Sequence, residues 1–304
     1  MNLHNDKEAF KELITAASVD LKIPANIIEK DYYVTLTLKE LTCRIKDMVF
    51  KGGTSLTKCY QILDRFSEDI DISYDASAGI PGESRKRQLK KAVTAAMETL
   101  DFPITNLSQT RSRRNYNCYR AEYPSIYGPA TTLQSELIIE TYVALLPFPT
   151  TVKIADNYIY RFLCQSGQEF LAKEFNLMPF PVTTQSIERT LIDKIFALCD
   201  YYMEGKIDRH SRHLYDIHKI IENITIPSSL PELIQEVRTL RASLPICPSA
   251  SDGVKINQLL EEIIEKNVYK DDYENITKNL LFIPLPYETA ISSIQILIDN
   301  HYFE

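Results

Sequence analysis

The chain has 304 residues and the composition of an ordinary globular protein, since 44% of its residues are hydrophobic and 25% are charged. Its formal net charge of −7 argues against a general polyanion-binding protein but allows a local basic patch. No apolar run reaches the length of a membrane span, and the charged N-terminus lacks the apolar core of a signal peptide. A cytoplasmic protein with no membrane partner is therefore expected. The six scattered cysteines contain no Cys-x-x-Cys pair, which predicts buried thiols and neither a zinc site nor a disulfide framework.

Hydrophobic patterning along the chain predicts an α+β fold. Helices are expected over residues 8–17, 25–41, 54–63 and 85–100. Strands are expected over residues 48–50, 69–74, 115–123, 133–145 and 158–163. After Ser186 the pattern is almost wholly helical. We therefore predict a mixed sheet with flanking helices over residues 1–180, followed by a mostly helical domain over residues 181–304.

Two glycines, Gly52 and Gly53, separate the first predicted strand from the helix that Thr54 and Ser55 begin. Glycines let the backbone turn tightly, and the free N–H groups and dipole at a helix start favour an anion such as phosphate. The pattern is neither a P-loop nor a dinucleotide-binding fingerprint. Taken alone, it is equally consistent with a plain structural turn.

Asp69 and Asp71 share one face of the next strand, because side-chain direction alternates along a strand. Their carboxylates are expected roughly 5 to 7 Å apart, given a rise of ~3.3 Å per residue. Two carboxylates so placed suit Mg²⁺, which binds few carboxylates plus substrate phosphates and can assist nucleotidyl transfer. The alternative is the acidic outer face of a half-exposed strand. The glycine turn, which could bind a phosphate, shortly precedes Asp69 and Asp71. This combination favours a metal site more specifically than the two carboxylates do alone.

Two ionisable residues of the helical region fall on or beside inward-facing stripes. Lys194 lies in the apolar stripe of the helix after Ser186, and a buried ammonium needs an anionic partner, which a triphosphate would supply. A lysine that packs its stem on the core and extends its amine to solvent is the alternative. Asp216 lies four residues after Arg212. It is either half of a surface ion pair with Arg212, or a base, or a residue that orients Lys194 or the acceptor.

Basic residues cluster in two segments, the second of which is followed by tyrosines. The clusters are Arg85, Lys86, Arg87, Lys90 and Lys91, then Arg111, Arg113 and Arg114, which precede Tyr116, Tyr119 and Tyr123. Each cluster alone is more typical of a solvated surface. Together, on an acidic protein, they favour an RNA acceptor, because basic side chains bind phosphates and aromatic rings stack on bases.

The order of glycine turn, helix and Asp-x-Asp strand resembles the nucleotidyltransferase superfamily related to DNA polymerase β. That resemblance implies a third carboxylate on a later strand. Glu140 is favoured because an apolar run precedes it, and Glu136 on the same face is the competitor. Either side chain could instead be a solvent-facing charge.

A narrower resemblance is carried by four motifs in combination. They are Lys-Gly-Gly-Thr-Ser-Leu-x-Lys from Lys51, Arg-Phe-Ser-Glu-Asp-Ile-Asp-Ile from Arg65, Glu188-x5-Lys194, and Arg212-x2-Tyr215-Asp216. With Glu-Lys-Asp-Tyr-Tyr from Glu29, they look like the AbiEii/AbiGii toxin family over residues 25–220. The chain departs from that family at His213, where the first aspartate of an Arg-Asp-x-Tyr-Asp motif is expected.

This resemblance implies the toxin of a bacterial type IV toxin–antitoxin or abortive-infection system, with a cognate antitoxin. It implies an enzyme that moves a nucleoside monophosphate from an NTP to RNA or tRNA, with Mg²⁺. The implied roles are phosphate binding by Gly52, Gly53, Thr54 and Ser55, triphosphate neutralisation by Lys58 and Lys194, Mg²⁺ binding by Asp69, Asp71 and Glu140, and assistance to the nucleophile by Asp216. The alternatives are transfer to a protein or small molecule, or a non-catalytic nucleotide-binding protein with the same fold.

Overall fold

A computed structural model describes residues 1–79, 82–128 and 134–303. The chain divides into two compact units. The first contains Met1–Gln61 and Ser67–Thr184, and the second contains Ile62–Phe66 and Gln185–Glu304. The second unit thus includes a short segment that lies in sequence between the glycine turn and the Asp69 strand, which the sequence patterns did not indicate.

The first unit combines a mixed sheet with helices. Its helices are α1 (Lys7–Leu21), α2 (Ala25–Arg44), α3 (Gly52–Ser55), α4 (Glu83–Leu100), α5 (Tyr158–Gln165) and α6 (Glu169–Glu174). Its strands are β1 (Met48–Lys51), β2 (Asp69–Tyr74), β3 (Tyr116–Ala121), β4 (Leu137–Tyr142), β5 (Thr150–Ala155) and β6 (Phe180–Gln185), the last ending at the unit boundary. Helix α3 continues directly into a π-helical turn, Leu56–Tyr60.

The strands of the described residues form one sheet in the order β3-β4-β2-β1-β6-β5. Strand β2 runs antiparallel to β1 and parallel to β4, and β3 runs antiparallel to β4. The sheet is therefore mixed, and the predicted α+β fold class is confirmed. Ile70, Ile72 and Ile139 are fully buried on one side of the sheet. Because side chains alternate, the acidic residues between them face the other side.

One predicted strand is wrong. Residues 158–163 form helix α5, because the side chain of Asn157 accepts a hydrogen bond from the Tyr160 N–H (2.8 Å) and caps the first turn. A short apolar run is compatible with either a strand or a helix, and the local cap decides between them.

Other boundaries also differ from the predicted ones. The strand predicted over residues 133–145 is confined to β4, and its predicted first residue, Leu133, lies outside the described residues. Strands β5 and β6 were not predicted. The helix predicted over residues 54–63 begins at Gly52, and its π-helical end is Tyr60.

The second unit is helical after Ser186, as the sequence predicts. Its helices are α7 (Ile187–Met203), α8 (Arg212–Asn223), α9 (Leu230–Ala242), α10 (Ile256–Glu265), α11 (Lys270–Asn275) and α12 (Tyr287–Asp299). The Ser186 side chain caps α7 by accepting a hydrogen bond from the Arg189 N–H. Helix α8 packs against α7 and α12, with Leu214 and Ile217 fully buried. Among the described residues, every helix is too short or too polar to cross a membrane.

Candidate functional site

Three carboxylates share one face of the neighbouring strands β2 and β4. Asp71 is paired with Glu140 in the parallel register, and Asp69 lies two residues before Asp71 on the same face. Neighbouring strands are about 4.8 Å apart, so the Asp71 and Glu140 side chains are adjacent across the strands. Glu136 precedes β4, accepts a hydrogen bond from the Thr105 hydroxyl, and lies 3.5 Å from the Arg120 guanidinium. Glu140 is therefore the candidate that lies beside Asp71 in the sheet.

The row of side chains that contains Asp71 extends across four strands. Lys51 on β1 is paired with Asp71, and Cys118 on β3 is paired with Glu140. The Lys51 ammonium lies 5.3 Å from the centre of the Tyr142 ring. Sequence reasoning gave Lys51 no role of its own, because only the strand register shows that it stands next to Asp71.

The backbone of Gly52 lies against the Asp71 carboxylate. Gly52 has a φ of +77°, and a Cβ at this position would be 2.1 Å from Oδ2 of Asp71. Glycine is required here for two reasons, the left-handed backbone conformation and the close approach of a carboxylate. The glycine turn and the acidic strand, which the sequence identified separately, are therefore in direct contact.

The hydroxyl groups that follow the glycines point into the protein. Thr54 and Ser55 are fully buried, whereas Gly52 and Gly53 are half-buried. The Ser55 hydroxyl donates to the Gly52 carbonyl (2.8 Å), and the Thr54 hydroxyl donates to the Ser67 hydroxyl (3.0 Å). These two hydroxyls stabilise the turn from inside, so the glycine backbone forms its accessible part.

Lys58 is anchored inside the first unit. Its ammonium is 2.6 Å from Oδ1 of Asp31, it donates to the Thr35 hydroxyl (2.5 Å), and the residue is only 1% exposed. Asp31 also accepts a hydrogen bond from the Tyr158 N–H (2.9 Å). A contact between Lys58 and a triphosphate, as predicted, would require breaking this buried pair. In the structure these contacts of Lys58 tie the helical turn after the glycines to α2.

Helix α2 also anchors the start of β2. Lys30 is fully buried, forms an ion pair with Glu68, and donates to the carbonyl of Gln134 (2.5 Å). Burial lowers the pKa of Lys30, and the charge of Glu68 opposes that shift. Because Glu68 immediately precedes Asp69, this pair fixes the backbone from which the first strand carboxylate projects.

A second cluster lies in the second unit around Asp216, which is fully buried. Arg65 donates through Nε and Nη2 to both carboxylate oxygens, each at 2.7 Å, and the Lys194 ammonium is 2.6 Å from Oδ2. Burial alone would raise the pKa of Asp216, but Arg65 and Lys194 together hold it well below its ordinary value. A carboxylate so strongly stabilised in its ionised form is a weak base. Its geometry therefore suits the predicted alternative in which Asp216 orients Lys194.

Arg65 is the partner that sequence reasoning missed. It belongs to the segment Ile62–Phe66, which packs within the second unit, and it also donates to the carbonyl of Phe66 (3.0 Å). In the same segment the Asp64 N–H donates to the Tyr215 hydroxyl (3.0 Å). Two motifs quoted from distant parts of the sequence therefore contact each other. Lys194 is 7% exposed, which confirms its predicted place on an inward stripe.

Comparison with known families decides the affiliation. Residues 45–293 match the family described as nucleotidyl transferase AbiEii toxin, type IV toxin–antitoxin system. The chain belongs to this AbiEii family. The match confirms the resemblance to this family. It extends beyond residue 220, where no motif was recognised, and begins after the motif at Glu29, which lies outside the matched residues. A search of curated proteins gave no match.

The donor chemistry of the AbiEii carboxylate face fits a hard divalent cation. The carboxylate oxygens of Asp69, Asp71 and Glu140 are donors of the kind that such a cation prefers, and the Asp71 carboxylate lies against Gly52 at the glycine turn. Over the described ranges, no three side chains of His, Cys, Asp or Glu are gathered closely enough to form a ready-made metal site.

At His213, where the motif resemblance predicts an aspartate, the chain carries a buried histidine ring. The ring lies parallel to those of Tyr201 and His210, with a centroid distance of 5.9 Å to Tyr201. Burial, followed by the charges of Lys194 and Arg212, lowers the pKa of His213 well below 6.5. The pKa values of His210 and His218 are also lowered, chiefly by burial.

We expect the second unit to lose stability as the pH falls below about 6.5. The unfolded chain binds protons on these histidines at a higher pH than the folded chain, so the free energy of unfolding is greatest above that value. For each histidine kept neutral by the fold, the free energy of unfolding falls by up to about 1.4 kcal/mol for each unit by which the pH is lowered. The measurement is the thermal midpoint between pH 8 and pH 5 for the wild type and for His213→Phe, which keeps an aromatic ring. A variant whose midpoint falls as steeply as that of the wild type would contradict this role of His213.

Proposed function

We propose that this AbiEii-family protein transfers a nucleoside monophosphate from an NTP to RNA, with Mg²⁺, as the toxin of a type IV toxin–antitoxin pair. The observation that carries the proposal is the row of Lys51, Asp71 and Glu140 beside the Gly52 backbone. Nucleotidyl transfer depends mainly on positioning the triphosphate and neutralising its charge, which such a row can supply. We place this activity in the cytoplasm, where both substrates occur, and the family implies a cognate antitoxin.

Asp69 and Asp71 are the residues that would hold Mg²⁺, with Glu140 as the third carboxylate. Mg²⁺ commonly takes one or two protein carboxylates and completes its shell with water and substrate phosphates. When bound, the ion would neutralise the phosphate oxygens. The Gly52 and Gly53 backbone would lie against the same phosphates, because these half-buried glycines form the accessible part of the turn.

Lys51 is the cation that we assign to the triphosphate in the first unit. It is half-buried, precedes Gly52, and is the cross-strand neighbour of Asp71. Lys58 is the less suitable candidate, since it is 1% exposed and paired with Asp31. In the second unit the Lys194 ammonium is likewise buried and paired, with Asp216. We retain Lys194 as a proposed triphosphate cation on the basis of the motif alone, with Asp216 as the residue that positions it.

A basic surface near the carboxylate face supports RNA as the acceptor. Two lysines of the first basic cluster contact residues that flank the second, since Lys86 donates to the Asn115 side chain (2.6 Å) and Lys90 donates to the Thr110 carbonyl (3.0 Å). Asn115 immediately precedes Tyr116, whose hydroxyl donates to Oε1 of Glu140 (2.7 Å). The second basic cluster is therefore followed directly in sequence by the tyrosine that contacts the proposed third carboxylate, which favours the binding of RNA phosphates beside it.

Charge reversal on this surface is expected to weaken RNA labelling selectively. Arg113 and Arg114 are exposed, and Arg113→Glu with Arg114→Glu should reduce transfer to RNA by about tenfold or more, because phosphate contacts carry much of RNA affinity. The measurement is the rate of RNA labelling at several salt concentrations. Lys46→Glu with Lys173→Glu changes the net charge equally at exposed positions elsewhere and serves as the control. Equal labelling by the two double variants would remove Arg113 and Arg114 from the acceptor surface.

The proposed function is tested by incubating the purified protein with Mg²⁺, each α-³²P-labelled NTP, total bacterial RNA and a protein extract. We expect label in a tRNA-sized band. Label confined to an extract protein would retain the transferase and replace the RNA acceptor. Absence of label with every NTP, from protein shown to be folded, would reject the enzymatic function and favour a nucleotide-binding interaction protein.

A further inference from the structure

A tyrosine hydroxyl of the chain itself lies on the proposed third carboxylate. Tyr116 is the first residue of β3, and its hydroxyl donates to Oε1 of Glu140 (2.7 Å). Its side chain is on the carboxylate face, since Tyr116 is paired with Tyr142, two residues after Glu140 on β4. The residue is 47% exposed, so the ring is open to an incoming nucleotide.

The position of this hydroxyl is the one that an acceptor hydroxyl needs. Glu140 is paired with Asp71, whose carboxylate lies against Gly52. A nucleophile must be within hydrogen-bond reach of the group that takes its proton, and Tyr116 already meets this condition. Tyr116 is also more accessible than Thr54, Ser55 and Tyr119, which are fully buried.

We propose that Tyr116 is an internal acceptor, to which the protein transfers a nucleoside monophosphate from an NTP when no external acceptor is bound. This inference rests on the proposed nucleotidyltransferase function. It adds a modification site, a tyrosine whose phenol oxygen becomes esterified to the α-phosphate of a nucleotide. A nucleotide attached to Tyr116 would occupy the space beside Glu140 and prevent a second acceptor from reaching this carboxylate. Each protein molecule would therefore be modified once.

The step is balanced without any further reactant. The phenol oxygen of Tyr116 attacks the α-phosphorus of the NTP and forms a new phosphorus–oxygen bond. The bond between the α-phosphorus and the oxygen bridging to the β-phosphate breaks, and pyrophosphate leaves. The phenolic proton passes to the Glu140 carboxylate, which already accepts the hydrogen bond from this hydroxyl.

The test compares the wild type, Tyr116→Phe and Tyr202→Phe in parallel reactions with and without total RNA. Tyr202 is the matched control, because its hydroxyl also donates to a carboxylate, that of Glu262 in the second unit (2.7 Å). Each reaction contains Mg²⁺ and one α-³²P-labelled NTP, and γ-³²P-labelled NTP replaces it in a control. We expect α-label but no γ-label on the wild-type chain without RNA. Peptide mass spectrometry should show the mass of one nucleoside monophosphate on the peptide that contains Tyr116. Tyr202→Phe should keep this label, and Tyr116→Phe should lose it.

The failures of the inference and of the proposed function are distinguishable in the same experiment. Label on RNA with none on the chain would overturn the internal acceptor and leave the transferase standing. Label on the chain at another residue, or self-labelling that persists in Tyr116→Phe, would overturn the assignment to Tyr116. Absence of label on both RNA and the chain would reject both proposals. Thermal melting of each variant shows that a lost label does not come from unfolding.

Discussion

Replacement of Asp71 by asparagine is expected to abolish nucleotide transfer while the protein remains folded. Asp71 lies between Lys51 and Glu140 in the row across the sheet, with its carboxylate against Gly52. Asparagine has nearly the same size, so the packing against Gly52 is preserved, but the negative charge that would hold Mg²⁺ is lost. We expect a loss of about a thousandfold in the rate of transfer, because electrostatic stabilisation is the main contribution to this chemistry.

The measurement is the initial rate of α-³²P transfer to RNA, with the thermal midpoint recorded for the same preparations. Asp69→Asn should behave similarly, since the two carboxylates share one face of β2. Asp20→Asn, at an exposed position of α1, provides the control for loss of one carboxylate. If Asp69→Asn and Asp71→Asn both label RNA at the rate of the control, the metal-site hypothesis fails.

The parts of this site that the sequence predicted are those that depend on local patterns. Alternation in β2 placed Asp69 and Asp71 on one face, and the glycines with the residues after them predicted the turn. The apolar stripe of α7 correctly placed Lys194 inside the second unit. Each of these inferences concerns residues within a few positions of one another, where the periodicity of helices and strands determines direction.

The parts that the sequence did not predict depend on contacts between distant segments. The apolar run within β4 favours Glu140 over Glu136, but only the strand register places Glu140, and Lys51 with it, beside Asp71. Likewise Asp216 pairs with Arg65, 151 residues away, although Arg212 stands at helical spacing from it. A buried charge pairs with an opposite charge that packing brings close to it, and that partner can be distant in sequence. The spacing of residues along one helix identifies only partners within that helix.

The ion cluster around Asp216, in the second unit, is the place where we expect a substitution to reduce stability most. Arg65 and Lys194 have side chains that are only 4% and 9% exposed, and both donate to this carboxylate. Asp216→Ala would leave two buried cations without the carboxylate that compensates them. Removing one partner of a buried ion pair typically costs 3–5 kcal/mol, so we expect a loss of about 4 kcal/mol in the free energy of unfolding.

Denaturant unfolding of the full chain measures this loss, with Asp208→Ala at an exposed position as the control. A second variant separates stability from function. Replacing Arg65 and Lys194 by methionine and Asp216 by leucine removes all three charges together, and apolar residues often substitute for buried ion clusters without loss of stability. We expect this triple variant to unfold at a higher denaturant concentration than Asp216→Ala yet to transfer no nucleotide, because it lacks the Lys194 ammonium. Transfer at the wild-type rate by the triple variant would show that the cluster only supports the fold.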